Sequence, residues 1–315
     1  MIRLRLMHIL VALTVASLSF LVYAIYREQP VYDRIALGPL LPNLGSRLDE
    51  VAMIELTFGL GMSGTQIVTL ERRNGKWVLP SRQNFPAHQE LVNELLLNLT
   101  TIEKLAPRTA LAKWHIRLGL TVPEKLGAAI RFRLSDASGA NIAGILLGKP
   151  EASEVEQKQA IQQIGLPQSN FYVREIDEDQ SWLARGRLPR NKDIAVWIDP
   201  ALPLPELNTI ERISISHHEE AVVFAASEPV AQAILSAMAT LRPVDVTPSA
   251  LIDFSNGQNL TLQQQDGGNT GIAVVSTGSH IWARFSSKED WAYKFDGSAA
   301  AALLPLIDAS QDTKT

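Results

Sequence analysis

Alternating apolar and polar residues predict several β-strands in the first half of the chain. Val51–Phe58 alternates in this way, and Gln66–Glu71 follows as a second strand. Alternation places one set of side chains against a core and the other set in solvent. Asn74-Gly75 suits the positive φ angles of a tight hairpin turn, so Lys76–Leu79 is predicted to return beside the second strand.

The pattern then changes to helical spacing. Proline is tolerated in the first turn of a helix. Pro86 precedes an apolar stripe formed by Leu91, Leu95, Leu96, Leu99 and Ile102, and Pro107 ends it. The remaining elements predicted for this half are strands at Ile130–Leu134, Asn141–Leu147, Asn170–Glu175 and Ile194–Ile198, and a short helix at Ser181–Leu188.

The second half of the chain repeats this order. Ile210–Ser216 and Ala221–Ala225 read as paired strands, and Pro229 opens a helix whose apolar residues have the spacing of the first stripe. Two further strands meet at a turn that begins with Asp266, as the turn at Asp136 does in the first half. Matched elements in the same order indicate an internal duplication, although chance similarity between small α+β patterns is the alternative.

The predicted fold class is therefore α+β, with two tandem copies of a small unit made of an antiparallel sheet and a helix. The first copy is assigned to residues 50–199 and the second to residues 200–310, followed by a tail at 311–315. The boundary falls in the proline-rich stretch Asp199–Pro205.

The amino terminus predicts a membrane anchor. Residues 1–8 carry Arg3 and Arg5, and residues 9–26 contain no charged side chain. As a helix, the apolar run would span roughly 27 Å, close to the hydrocarbon thickness of a bilayer. A cleaved signal peptide and a buried core helix are the alternatives. The basic end favours a cytoplasmic N-terminus for an anchor in the inner membrane, with the body of the protein in the periplasm. Residues 27–49 are predicted to be the linker between the anchor and that body.

Composition and charge narrow the function classes. The chain has no cysteine, which excludes disulfides, thiol catalysis and cysteine-ligated metals. The net charge is −4 and the chain contains no basic block, so nucleic-acid binding is not expected.

None of the candidate chemical groups has the spacing of a known catalytic or metal site. His217-His218 are adjacent on a strand pattern, so their side chains would point to opposite faces and could not chelate one ion. Asp193, Asp199 and His115 are the residues that an envelope hydrolase would have to bring into one cleft. The sequence therefore predicts no catalytic residue, no cofactor and no metal.

Five residues are predicted to have structural or partner-binding roles. Trp77 stands opposite the helix stripe and is expected to pack against it. The other four occupy matched positions of the two copies, because Tyr172-Val-Arg174 is echoed by Trp282-Ala-Arg284.

The motifs of the first copy resemble those of the DUF4340 family of anchored bacterial proteins. They are G-K-W-x-L at Gly75–Leu79, R-L-G-L-x-x-P at Arg117–Pro123, L-L-G-K at Leu146–Lys149 and F-Y-V-R at Phe171–Arg174. The resemblance covers roughly Val51–Asp308, and it departs at Pro86-Ala87-His88, where the family often has an acidic residue after Ala. It implies an auxiliary component of an ABC transport system of the gliding-motility type, and it brings no catalytic residues.

The leading hypothesis is a non-enzymatic, membrane-anchored accessory protein that binds an ABC transporter permease or a related envelope protein. An envelope hydrolase acting on glycan or peptide, or a passive periplasmic scaffold, are the alternatives. The sequence leaves the oligomeric state open.

Overall fold

The structure is a computed structural model and describes residues 37–125, 127–151, 168–217 and 220–303, together with Ser17 and Ser19. In these ranges the strands form two antiparallel sheets, one of nine strands and one of seven, with a few short helices. The α+β class is therefore confirmed.

The first sheet is built by the first half of the chain. Its strands are β1 (Met53–Gly59), β2 (Thr65–Arg73), β3 (Lys76–Leu79), β4 (Phe85–Pro86), β5 (Glu103–Pro107), β6 (Ile130–Ser135), β7 (Asn141–Pro150), β8 (Ser169–Glu175) and β9 (Ser181–Gly186). Helix α1 (Gln89–Thr100) connects β4 to β5, and the one-turn helix α2 (Ala112–His115) follows β5. The strand order is β4-β3-β2-β1-β6-β7-β8-β9-β5.

The second sheet is built by the second half. Its strands are β10 (Ile210–His217), β11 (Glu220–Ala225), β12 (Asp245–Pro248), β13 (Gln258–Gln264), β14 (Asn269–Thr277), β15 (His280–Phe285) and β16 (Trp291–Asp296). Helix α3 (Pro229–Thr240) connects β11 to β12, and α4 (Gly297–Ala300) follows β16. The strand order is β11-β10-β13-β14-β15-β16-β12.

The two sheets have the same strand order, except that the first sheet carries two additional strands, β3 and β4, beyond β2. In each, a hairpin leads into a helix, the helix leads to the far edge strand, and a meander of four strands fills the space between. Val92, Leu95 and Leu99 are buried on α1, and Ala231, Ile234 and Met238 are buried at the same relative positions on α3. This agreement in strand order and helix burial supports the internal duplication.

Turn chemistry agrees with the sequence in both halves. Asn74 and Gly75 have φ angles of 51° and 77°, as the predicted hairpin turn requires. The Asp136 carboxylate accepts hydrogen bonds from the backbone N–H groups of Ser138 and Ala140, and Asp266 accepts one from Gly268. Each aspartate therefore closes the equivalent hairpin of its sheet.

Two local predictions are wrong. Ser181–Gly186 is strand β9 rather than a helix, because it pairs with β8 on one side and β5 on the other. Ile194–Trp197 is a 3₁₀ turn rather than a strand, and the side chain of Asp193 caps it by accepting from the N–H of Ala195. The sequence analysis also missed four strands, which are β5 and β12 after helices α1 and α3, and β4 and β16.

The predicted linker at residues 27–49 is partly integrated into the body. Leu40, Leu41 and Leu44 are buried in the main core, and residues 45–50 form a 3₁₀ helix. The packed body thus starts before residue 50.

No helix in the described ranges is long and apolar enough to cross a membrane. The predicted anchor at residues 9–26 lies outside those ranges, apart from Ser17 and Ser19.

Candidate binding surface

Trp77 is part of the core. Its side chain is buried, and its backbone is held by Gln89 at the start of α1. The Trp77 N–H donates to Gln89 Oε1 and the Trp77 carbonyl accepts from Gln89 Nε2, both at 2.8 Å. These bonds fasten the β2–β3 hairpin to the helix, so Trp77 has almost no surface to offer a partner.

The matched aromatic and arginine residues lie on the outer faces of their sheets. Tyr172 and Arg174 flank the buried Val173 on β8, and Trp282 and Arg284 flank the buried Ala283 on β15. Alternation along a strand therefore turns all four side chains away from the main core.

The two arginines have different neighbours. Arg174 Nη1 donates to the carbonyls of Glu175, Ile176 and Glu178, so it holds the turn between β8 and β9. Burial lowers the pKa of Arg174, against the opposing effect of Asp179 and Asp177. The Arg284 guanidinium instead lies 5.0 Å from the ring centroid of Phe254. The sequence match thus places both arginines on equivalent strands, but their contacts are local and distinct.

A ring cluster joins the two sheets. Phe85 of β4 makes edge-to-face contacts with Trp291 and Tyr293 of β16, at centroid distances of 4.9 and 5.7 Å. Beside it, Arg82 Nε donates to Asp245 Oδ1 at 2.5 Å, and Nη2 donates to Oδ2 at 3.2 Å. Aromatic packing and a bidentate ion pair together fix the position of one sheet against the other.

Tyr293 is the polar member of this cluster. Its side chain is fully buried, and its hydroxyl has no hydrogen-bond partner among the described residues. Burial raises the pKa of Tyr293 to about 12, with a further contribution from the negative charge of Asp199. The phenol is therefore neutral at physiological pH and acts as a packing group.

The residues that a hydrolase would need are engaged separately. His115 Nε2 lies 2.9 Å from the carbonyl oxygen of Asp179. Asp193 caps the 3₁₀ turn that follows it, and Asp199 accepts from the N–H of Ala201. Each side chain thus makes a local structural contact. Within the described ranges, no group of three or more His, Asp or Glu side chains is placed to hold a metal ion.

A shallow pocket of about 350 Å³ lies in the second half of the chain, between the proline-rich stretch and the end of α3. Residues 200–207 form one wall, and Met238, Ala239 and Arg242 at the end of α3 form the other. Its lining is mostly apolar, and the Arg242 guanidinium is directed to the carbonyl of Leu241. No convergent set of polar groups marks it as a ligand site.

Strand β11 is an open edge of the second sheet. It pairs with β10 on one side, and no strand in the described part of the chain pairs with the other. Val222 and Val223 are 38% and 59% exposed. Its sequence, EAVVFA, contains none of the lysines or prolines with which natural edge strands discourage pairing. An edge of this kind can accept an extended segment of another chain.

In the first sheet, the strand equivalent to β11 is not an edge, because a further strand pairs with its outer side. Strand β2 is the counterpart of β11, and β3 pairs with its outer side through Glu71, Arg72 and Arg73. The sequence predicted both β2 and β11 as strands. Its one signal that β11 would lie at an edge was the absence of a second Asn-Gly hairpin after it.

Comparison with known proteins gives a family but no activity. A family described as "Domain of unknown function (DUF4340)" matches residues 77–254, a span that starts in β3 and ends between β12 and β13. No curated protein matches the chain.

Proposed function

The chain belongs to the DUF4340 family, and from that premise we propose that it is a non-catalytic, membrane-anchored accessory protein of the cell envelope. Its body lies outside the cytoplasm and acts as a binding or assembly component of an ABC-type transporter. The apolar run at residues 9–26 supports the anchor, and the motif resemblance supports the transporter as partner.

The open edge of β11 is the observation that carries the binding role. An extended segment of the partner would add to this edge, where main-chain hydrogen bonds provide affinity and Val222 and Val223 provide apolar contact. The joint between the sheets supports the same role, because the Phe85 cluster and the Arg82–Asp245 pair hold the second sheet in a fixed orientation to the first.

The test is purification of the tagged full-length protein from membranes in mild detergent, with identification of what accompanies it. We expect an ABC permease and its ATPase to copurify with the wild type. Val223→Lys should abolish their recovery, because a lysine on an edge strand blocks pairing while the exposed site tolerates it in the fold.

Leu251→Lys is the matched control. Leu251 is also an exposed apolar residue of the second half, but it lies on a 3₁₀ turn instead of a sheet edge. Recovery of the transporter with both variants would place the contact elsewhere. A protein without partners in several mild detergents would contradict the accessory role and favour a passive scaffold.

A further inference from the structure

The segment around α2 exposes three large apolar side chains within six residues. Leu111, Trp114 and Ile116 are 56%, 36% and 68% exposed. Lys113 and Arg117 lie among them, and the Arg117 guanidinium stacks 4.0 Å from the Trp114 ring centroid. We call these five residues the α2 patch. Exposed apolar side chains that cluster in this way mark a contact surface more often than scattered ones do.

The patch is held in place by the residue in its middle. His115 is buried, and its Nε2 meets the carbonyl of Asp179 at 2.9 Å. The Leu120 N–H donates to the His115 carbonyl, and the Trp114 N–H donates to the Leu111 carbonyl. Because His115 points inward on a single helical turn, its neighbours Trp114 and Ile116 point outward.

The first described residues of the body pair with β5. Three backbone hydrogen bonds join this segment to β5. The Leu37 N–H donates to the Lys104 carbonyl, and the Leu40 N–H donates to the Ile102 carbonyl. The Lys104 N–H in turn donates to the Gly38 carbonyl. This segment therefore runs antiparallel to β5. Leu37, the first described residue of the body, therefore lies toward the Pro107 end of β5, the end that leads on to Leu111.

The tether between anchor and body is short. Ten residues separate the end of the predicted anchor at Tyr26 from Leu37, and ten residues span at most about 35 Å even when fully extended. The membrane and the β5 end of the body are thus kept within reach of each other.

We propose that the α2 patch inserts into the headgroup region of the bilayer that holds the anchor. This inference rests on the anchor of the proposed function. Trp, Leu and Ile side chains suit the boundary between headgroups and acyl chains, and the long side chains of Lys113 and Arg117 can reach the lipid phosphates.

Apolar insertion, rather than charge attraction, is the main contribution. Asp177, Glu178 and Asp179 lie in the turn that contacts His115, and their carboxylates oppose the two cations of the patch near anionic lipid. The contact is therefore expected in neutral as well as anionic membranes.

The absence of cysteine from the chain makes a direct test possible. A nitroxide attached to Ile116→Cys in the full-length protein would report lipid contact in vesicles of phosphatidylethanolamine and phosphatidylglycerol. Met62→Cys is the matched control, because Met62 is 96% exposed. It follows Gly59, and the strand pairings direct the chain at Gly59 and the chain at Pro107 toward opposite ends of the first sheet.

We expect the label at position 116 to collide more with oxygen, which concentrates in lipid, than with a water-soluble nickel chelate. The label at position 62 should show the reverse. Adding Leu111→Asp and Trp114→Asp to the first variant should lower its oxygen-to-nickel ratio to that of position 62.

Two results would overturn the proposal, and they are distinguishable. If the protein resists carbonate extraction but both labels report water, the anchor stands and the patch does not touch lipid. If carbonate releases the protein, the anchor itself is wrong, and the proposed function fails with it.

Discussion

Replacing Phe85 with alanine tests whether the two sheets stabilise each other through the ring cluster. Phe85 belongs to a two-residue strand of the first sheet, yet its aromatic contacts are with Trp291 and Tyr293 of the second. Its side chain is 1% exposed. The substitution therefore removes a buried ring from the joint while leaving most residues of either sheet untouched.

The magnitude follows from burial and ring geometry. Burying a phenylalanine side chain contributes about 1.5–3 kcal/mol, and each edge-to-face pair adds about 0.5–1.5 kcal/mol. Buried Phe→Ala changes cost about 3–5 kcal/mol in total. We expect a loss in that range, because neighbours that are fixed in two sheets cannot easily collapse into the cavity.

Hydrogen exchange of the full-length protein, read by mass spectrometry, measures this loss at both sides of the joint. Amides of β3 and of β16 should exchange about 10²- to 10⁴-fold faster in Phe85→Ala, at roughly 1.4 kcal/mol per factor of ten. Phe254→Ala is the control, since Phe254 is only half-buried and stacks on Arg284, whose side chain lies on the outer face of the second sheet.

The control should leave exchange in β3 and β16 unchanged. If Phe85→Ala accelerates exchange in these strands by less than about fivefold, or about 1 kcal/mol, the ring cluster does not couple the sheets.

Two further predictions concern alkaline stability and backbone packing. Because the pKa of Tyr293 is raised from 10.0 to about 12 in the folded protein, its contribution is complete below pH 10 and is lost as the pH rises to 12. Tyr293→Phe should therefore lose about 2 kcal/mol less stability than the wild type between pH 10 and pH 12, and superimposable curves of unfolding free energy against pH would contradict the assignment. Gly59→Ala should cost at least about 2 kcal/mol in urea unfolding, because a Cβ there would overlap the backbone carbonyl oxygen of Gly127. Gly45→Ala, where nothing lies within 4 Å of the added atom, should be neutral, and an equal loss in both variants would show that backbone crowding is not the cause.

The family assignment and the chemistry of this chain differ in how well the sequence encodes them. Motifs such as Gly75–Leu79 are contiguous, so the resemblance to DUF4340 proteins was visible before the fold, and the family match over residues 77–254 confirms it. No contiguous motif of the chain identifies a partner or a reaction. The transporter association therefore stays a prediction.

Sequence patterns alone determined the elements whose signals are local. Alternation predicted β1 and β2 and their counterparts β10 and β11, helical spacing predicted α1 and α3, and Asn74-Gly75 predicted the hairpin turn. These succeed because periodicity and turn conformation depend on residues a few positions apart.

Only the tertiary structure decided the features that depend on distant residues. Ser181–Gly186 is a strand because β8 and β5 flank it, although its own sequence suggested a helix. Phe85 meets Trp291 and Tyr293 across the joint, and β11 is an edge because no described strand follows it in the sheet. The physical reason is that strand pairing and core contacts join residues far apart in the chain, and single-segment patterns carry no information about which of them will meet.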